Sequence, residues 1–131
     1  MAKGKILVVD DEADVRDVIR LQLEQKGLNV LEAEDGQKAI EILKSGDNMV
    51  NIGLILCDIR MPKVNGVEYI EFLKQEAPSI PIVVITGYPD TELAIGLMKK
   101  GIKDYLVKPV EKERLLAVVD EQIAAGKTID F

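Results

Sequence analysis

The stretch Ile6–Arg16, "ILVVDDEADVR", runs from four aliphatic residues straight into two adjacent aspartates, with Glu12 and Asp14 close behind. A short aliphatic run of this kind reads as a buried strand. The period then changes: Val15, Val18, Ile19 and Leu23 recur at helical spacing, and Gly27 closes that helix. A strand therefore hands over to a helix through a crowded acidic turn. Each carboxylate there disfavours ionisation of the next, so the crowding needs a cause.

The same unit recurs along the chain. Apolar runs at Ile6–Val9, Asn29–Ala33, Leu54–Cys57, Ile82–Ile85 and Asp104–Val107 alternate with helical patterns. The later patterns are Ala39, Ile40, Leu43; Val67, Ile70, Leu73; Leu93, Leu97, Met98; and Leu115, Val118, Val119, Ile123. Five strand–helix pairs in alternation predict an α/β fold, a doubly wound five-stranded parallel sheet with right-handed crossovers. The 131 residues suit one domain, with a core over 5–125 and a short tail over 126–131. The segment "SGDNMVNIG", 45–53, leaves the end of the second helix open.

Composition narrows the function. The net charge of −6 argues against a surface for nucleic acid or anionic lipid. No apolar segment approaches membrane-spanning length, and the N-terminal run is too short for a signal peptide. Cys57 is the only cysteine, so a reducing cytoplasm is the simplest setting, with Cys57 as a small buried apolar residue. The absence of histidine removes Ser-His-Asp and Cys-His chemistry and the commonest zinc sites.

In an open α/β sheet, ligands bind beyond the carboxyl ends of the strands. Strand one ends in Asp10 and Asp11, strand three in Asp58, strand four in Thr86 and strand five in Lys108. Glu34 and Asp35, after strand two, read as an ordinary helix start. Each residue also has a plain reading: a helix cap for Asp10 or Asp11, a turn for Asp58, loop chemistry for Thr86, a solvated lysine for Lys108. A cap explains one aspartate and not the pair, and all five residues fall on one sheet edge. Clustered acids without histidine suit a hard divalent cation, Mg²⁺ or Mn²⁺, which also relieves their repulsion. A carboxylate can then attack phosphorus while the hydroxyl and ammonium hold phosphoryl oxygens. The set points to phosphoryl transfer onto Asp58.

The landmarks "ILVVDDE", "LILCDIRMPKVNG", "VVITGYPD" and "GIKDYLVKPV" at these spacings resemble the response regulator receiver domains of the CheY-like superfamily. The resemblance runs from Lys5 to about Ala125. It implies a flavodoxin-like (βα)5 fold with strand order 2-1-3-4-5. It makes Asp58 the phosphoacceptor, Asp11 a direct metal ligand, Asp10 a partner acting largely through water, and the main-chain carbonyl of Arg60 a further ligand. Lys108 pairs with the phosphate, and its bond to Pro109 is expected to be cis. Thr86 bonds a phosphoryl oxygen and Tyr105 moves with it as a switch, although Tyr105 also reads as a packed strand residue. Arg60 and Tyr88 fall at the positions that tune phosphate lifetime, and their bulk implies a long-lived phosphoryl state. Glu12 and Asp14 need no site role and suit the first turn of a helix. Val110 stands where the family often has an aromatic, a packing change.

The implied partners are a sensor histidine kinase or phosphotransfer protein, and a downstream protein or output domain. The surface of the fourth helix, fifth strand and fifth helix serves that output, or pairs two copies of the chain. No direct nucleic-acid or membrane contact is expected, and no enzymatic activity beyond the chain's own phosphorylation and dephosphorylation. Two alternatives stand beside this: a degenerate receiver acting only as a protein-interaction module, and an aspartyl-phosphate phosphohydrolase. The second usually has an acid two residues after the nucleophile, where this chain has Arg60.

Overall fold

The structure, a computed structural model, describes residues 4–61, 64–87 and 91–129. Five strands form one sheet: β1 (Lys5–Val9), β2 (Asn29–Ala33), β3 (Ile52–Asp58), β4 (Ile82–Thr86) and β5 (Asp104–Val107). Their order is β2-β1-β3-β4-β5 and every neighbouring pair is parallel. Five helices connect or follow them: α1 (Ala13–Glu24), α2 (Gly36–Leu43), α3 (Gly66–Glu76), α4 (Thr91–Lys99) and α5 (Lys112–Ile129). This is the doubly wound parallel sheet expected of the alternating pattern, in the flavodoxin-like strand order that the resemblance implies.

Strand side chains alternate across the sheet, so each strand feeds two cores. Leu7, Val9, Ile55 and Cys57 join Leu43, Ile70, Leu73 and Leu97 on the face covered by α2, α3 and α4. Ile6, Val8, Leu54 and Leu56 join Ile19, Leu23, Leu115, Val118 and Val119 beneath α1 and α5. The central strands are buried on both faces, which is why their sequences are aliphatic throughout.

Two helical residues depart from the expected core. Val18 is 53% exposed and Met98 47%. At about 100° of rotation per residue, Val15, Ile19 and Leu23 centre the buried stripe of α1, and Val18 stands about 100° from that centre. Met98 is likewise about 100° round α4 from its buried neighbour Leu97.

Three features between the main elements were not anticipated. The segment after α2 holds a single helical turn, Asn48–Asn51, and α2 itself stops at Leu43 ahead of Gly46, whose φ of +54° suits glycine. A short antiparallel ribbon pairs Arg60–Met61 with Val64–Asn65. Helix α5 runs to Ile129, through the stretch set aside as a tail.

Candidate functional site

Register delivers the site. Val9 pairs with Cys57, so Asp10 and Asp58 leave adjacent strands side by side at the carboxyl edge. Asp58 in turn pairs with Ile85, and Thr86 with Val107. The ladder continues one step beyond β5, because Lys108 N–H donates to the Thr86 carbonyl at 2.8 Å. The peptide that follows, Lys108–Pro109, is cis.

Lys108 Nζ reaches back over the edge of the sheet. It lies 2.8 Å from Asp10 Oδ2, 2.8 Å from Asp58 Oδ2 and 3.0 Å from Glu12 Oε1. Asp10 and Asp58 are buried, as is Thr86, whereas Asp11 and Glu12 are exposed. Burial pushes the Asp10 carboxyl above its ordinary range, and the Asp58 charge adds to that push. Hydrogen bonds from Lys108 Nζ and from Glu12 N–H, the latter 2.8 Å from Asp10 Oδ1, oppose it. Burial also works against the charge on Lys108, but its bonds to Asp10, Asp58 and Glu12 outweigh that cost and hold it protonated above the usual lysine range.

Asp10, Asp11, Glu12 and Asp58 form a compact acidic group, each offering one oxygen, all within 4.8 Å of one another. Four carboxylates set against one ammonium leave an excess of negative charge, and an all-oxygen donor set suits a hard cation such as Mg²⁺. The donor chemistry fits that ion.

Glu12 is the member that sequence reasoning misassigned. It does occupy the N-cap position of α1, but its side chain makes no cap bond. Asp10 Oδ1 accepts the Glu12 N–H in an Asx-type turn, and the Glu12 carboxylate reaches Lys108 instead of the helix amides. Asp14 remains in the first turn of α1, and Asp35 caps α2 by accepting from Lys38 N–H at 2.8 Å. Arg16 was also missed: its Nη1 donates to the main-chain carbonyl of Asp10.

Cys57 is buried and its Sγ donates to the Asp58 carbonyl at 3.4 Å. Burial, then the Asp58 and Asp10 charges, push its thiol well above the ordinary range, so it acts as an apolar residue. Tyr105 is half-buried beside Val107 on β5, and its buried hydroxyl has no hydrogen-bond partner among the described residues. Both residues line a cleft of about 550 Å³ against α4, with Ala94, Ile95 and Met98. Arg60 lies in the short ribbon just past Asp58, and Tyr88 lies outside the described residues.

Comparison with known proteins agrees with this geometry. Residues 6–120 match the family described as the response regulator receiver domain. The transcriptional regulatory protein FixJ of Bradyrhizobium diazoefficiens is 35% identical over 121 residues, covering 92% of this chain and 57% of FixJ. The transcriptional regulatory protein ZraR of Escherichia coli is 33% identical over 125 residues, covering 95% of this chain and 27% of ZraR. The chain thus spans little more than half of one relative and about a quarter of the other. The crystal structure of a response regulator receiver domain protein from Clostridium thermocellum matches with a TM-score of 0.87 at 32% identity, covering 96% of this chain and 98% of that one. The matched span takes in both strand-one aspartates, Asp58, Thr86 and Lys108, and the chain belongs to the response regulator receiver domain family.

Proposed function

We propose that Asp58 is the phosphoacceptor of this receiver, and that its phosphorylation switches the α4–β5–α5 surface. The observation that carries the reading is the placement of Lys108 Nζ on both Asp58 Oδ2 and Asp10 Oδ2, at the edge where β1, β3 and β5 end. An Asp58 carboxylate oxygen bonds to phosphorus as the donor's phosphoryl bond breaks, and Lys108 and Thr86 then hold phosphoryl oxygens. Receiver domains bind Mg²⁺ at an acidic pocket; here Asp11, Asp58 and the Arg60 carbonyl would hold it, with Asp10 acting largely through water. When bound, the ion supplies neutralisation of charge on the transferring group.

Receiver domains act between histidine kinases and output domains. For this chain the donor is a sensor histidine kinase, a phosphotransfer protein or a small acyl phosphate, and the new dianion draws Thr86 inward with Tyr105 following. That bias between two states changes how the α4–β5–α5 surface meets an output domain, a downstream protein or a second copy of the chain. By likeness to FixJ and ZraR, the output is transcriptional. A cytoplasmic setting is supported by the single unpaired Cys57, and no helix among the described residues is long and apolar enough to cross a membrane.

The test is Mg²⁺-dependent labelling with acetyl phosphate. Wild type should incorporate phosphoryl, and Asp58→Asn should lose essentially all of it. Full incorporation in Asp58→Asn would show that another residue is the acceptor. A wild type that takes up none would favour the interaction-module reading.

A further inference from the structure

Arg16 is the one arginine of α1 that touches the acidic turn. Its Nη1 donates to the Asp10 carbonyl, and its Nε lies 3.2 Å from Glu32 Oε1 on β2. Glu32 is itself fixed twice: its Oε2 lies 3.3 Å from Arg20 Nε, and its backbone pairs in register with Val8, two residues before Asp10. The Arg16 side chain is only 17% exposed. It therefore adds a side-chain tie between the main chain of the turn and the edge strand β2.

We propose that Arg16 is a positioning residue for the divalent cation, setting affinity by holding the Asp10–Glu12 turn in ligating geometry. The proposal rests on the metal reading given above. A small hard cation demands near-ideal coordination, so a turn that wanders by a fraction of an ångström loses affinity although every ligand is still present. Asp10 N–H donates to the Ala33 carbonyl and Glu12 N–H to Asp10 Oδ1, which fixes the amides of the turn. Arg16 fixes the Asp10 carbonyl from the other side. Its fork-shaped guanidinium can serve the carbonyl and the Glu32 carboxylate together, which a lysine ammonium cannot do in the same geometry.

The sign of the effect separates positioning from plain electrostatics. Arg16 carries a positive charge at the edge of a cation site, so Coulomb repulsion alone predicts tighter Mg²⁺ binding once it is removed. Positioning predicts weaker binding. Calorimetric titration of Mg²⁺ into the whole chain should show Arg16→Met weakened by about tenfold, the lower end of what loss of an outer supporting contact costs. Arg16→Lys keeps the charge and one bond and should fall between. Glu32→Gln, which loosens the anchor without touching the turn, should weaken binding in the same direction by less. Lys26→Met is the control, since Lys26 meets Asp120 and neither Glu32 nor the turn; its affinity should match wild type. In acetyl phosphate labelling, Arg16→Met should raise the Mg²⁺ concentration for half-maximal phosphorylation and keep the plateau. Wild-type or tighter Mg²⁺ affinity in Arg16→Met overturns the assignment. If Arg16→Met does not fold, unchanged affinity in both Arg16→Lys and Glu32→Gln overturns it equally. No Mg²⁺ binding by the unaltered chain overturns the metal reading itself, and this inference with it.

Discussion

Lys108 Nζ stands 2.8 Å from Asp58 Oδ2, a pairing made across 50 positions of sequence. It is stabilising because the alternative is two buried carboxylates, Asp10 and Asp58, without their cation. Lys108→Met should therefore lower stability by about 2 kcal/mol at neutral pH, below the full cost of a stranded buried charge because the side chain is 14% exposed. The folded protein raises the Lys108 pKa, so on the alkaline side its contribution is full below the ordinary lysine range and is lost as pH rises through the folded value. On the acid side, the deficit of Lys108→Met should shrink as Asp10, whose folded pKa is raised, protonates. Urea unfolding at several pH values checks this, and a deficit independent of pH would contradict it.

Asp10 has a linkage of the same sign, displayed in the acid range instead. Its folded pKa is raised, so it favours the folded state at acid pH and that advantage is lost as pH rises through the folded value. Ionised Asp10 thus costs stability at neutral pH. Asp10→Asn should raise Tm there by a few degrees, the response to about 1 kcal/mol in a domain of this size. The gain should vanish in the acid range where wild-type Asp10 is already neutral. A lower Tm at pH 7 would show that the bond to Lys108 outweighs burial.

The proposed metal reading divides the acidic turn by function, and Mg²⁺ affinity measures the division. Asp11→Asn should weaken binding by about tenfold or more, as expected for a ligand. Glu12→Gln should weaken it by roughly twofold to threefold, because it removes charge from the cluster at an exposed position. Asp14→Asn should leave it unchanged. Equal losses at Asp11 and Asp14 would mean that general charge, not placement, draws the cation.

Tyr105 buries a hydroxyl that has no hydrogen-bond partner among the described residues. Removing only that oxygen should be neutral or stabilising by up to about 1 kcal/mol. Tyr105→Phe should therefore unfold at equal or higher urea than wild type. A clear loss of stability would mean that the hydroxyl is satisfied in solution.

Arg60 and Tyr88 are proposed to lengthen the life of the phosphoryl group by hindering water. An Arg60→Asn, Tyr88→Glu double variant should lose label from Asp58 faster than wild type after the donor is removed. An unchanged decay rate would remove both residues from that role.

The period-2 and period-3.6 patterns made the sheet and its crossovers legible, because buried central strands such as Leu54–Cys57 leave little choice of residue. Asp10, Asp58, Thr86 and Lys108 were legible because strand ends are countable. What was not legible depends on angle and on reach. Val18 and Met98 are apolar and near the right period, but a rotation of about 100° puts each outside the buried stripe. Glu12 looks like a helix-start acid, but its carboxylate reaches Lys108 and not the helix amides. Arg16 looks like a solvated helix residue, since nothing in a linear pattern shows that its guanidinium bends back to a carbonyl six positions earlier. The ribbon at Arg60–Met61 rests on two pairs, too few to leave a pattern.

The ladder bond from Lys108 N–H to the Thr86 carbonyl closes a mechanical loop. From Asp58 the path runs through the β3–β4 pairing to Thr86, across to Lys108, and back along the lysine side chain to Asp58. Every link is backbone except the last, which is a flexible chain of methylenes. New bulk and charge on Asp58 therefore load the loop at its softest member. The stiff members, two central strands buried on both faces, cannot yield. On the proposed switch, that strain is relieved outward at β5, an edge strand of the sheet, where Val107 is already 44% exposed.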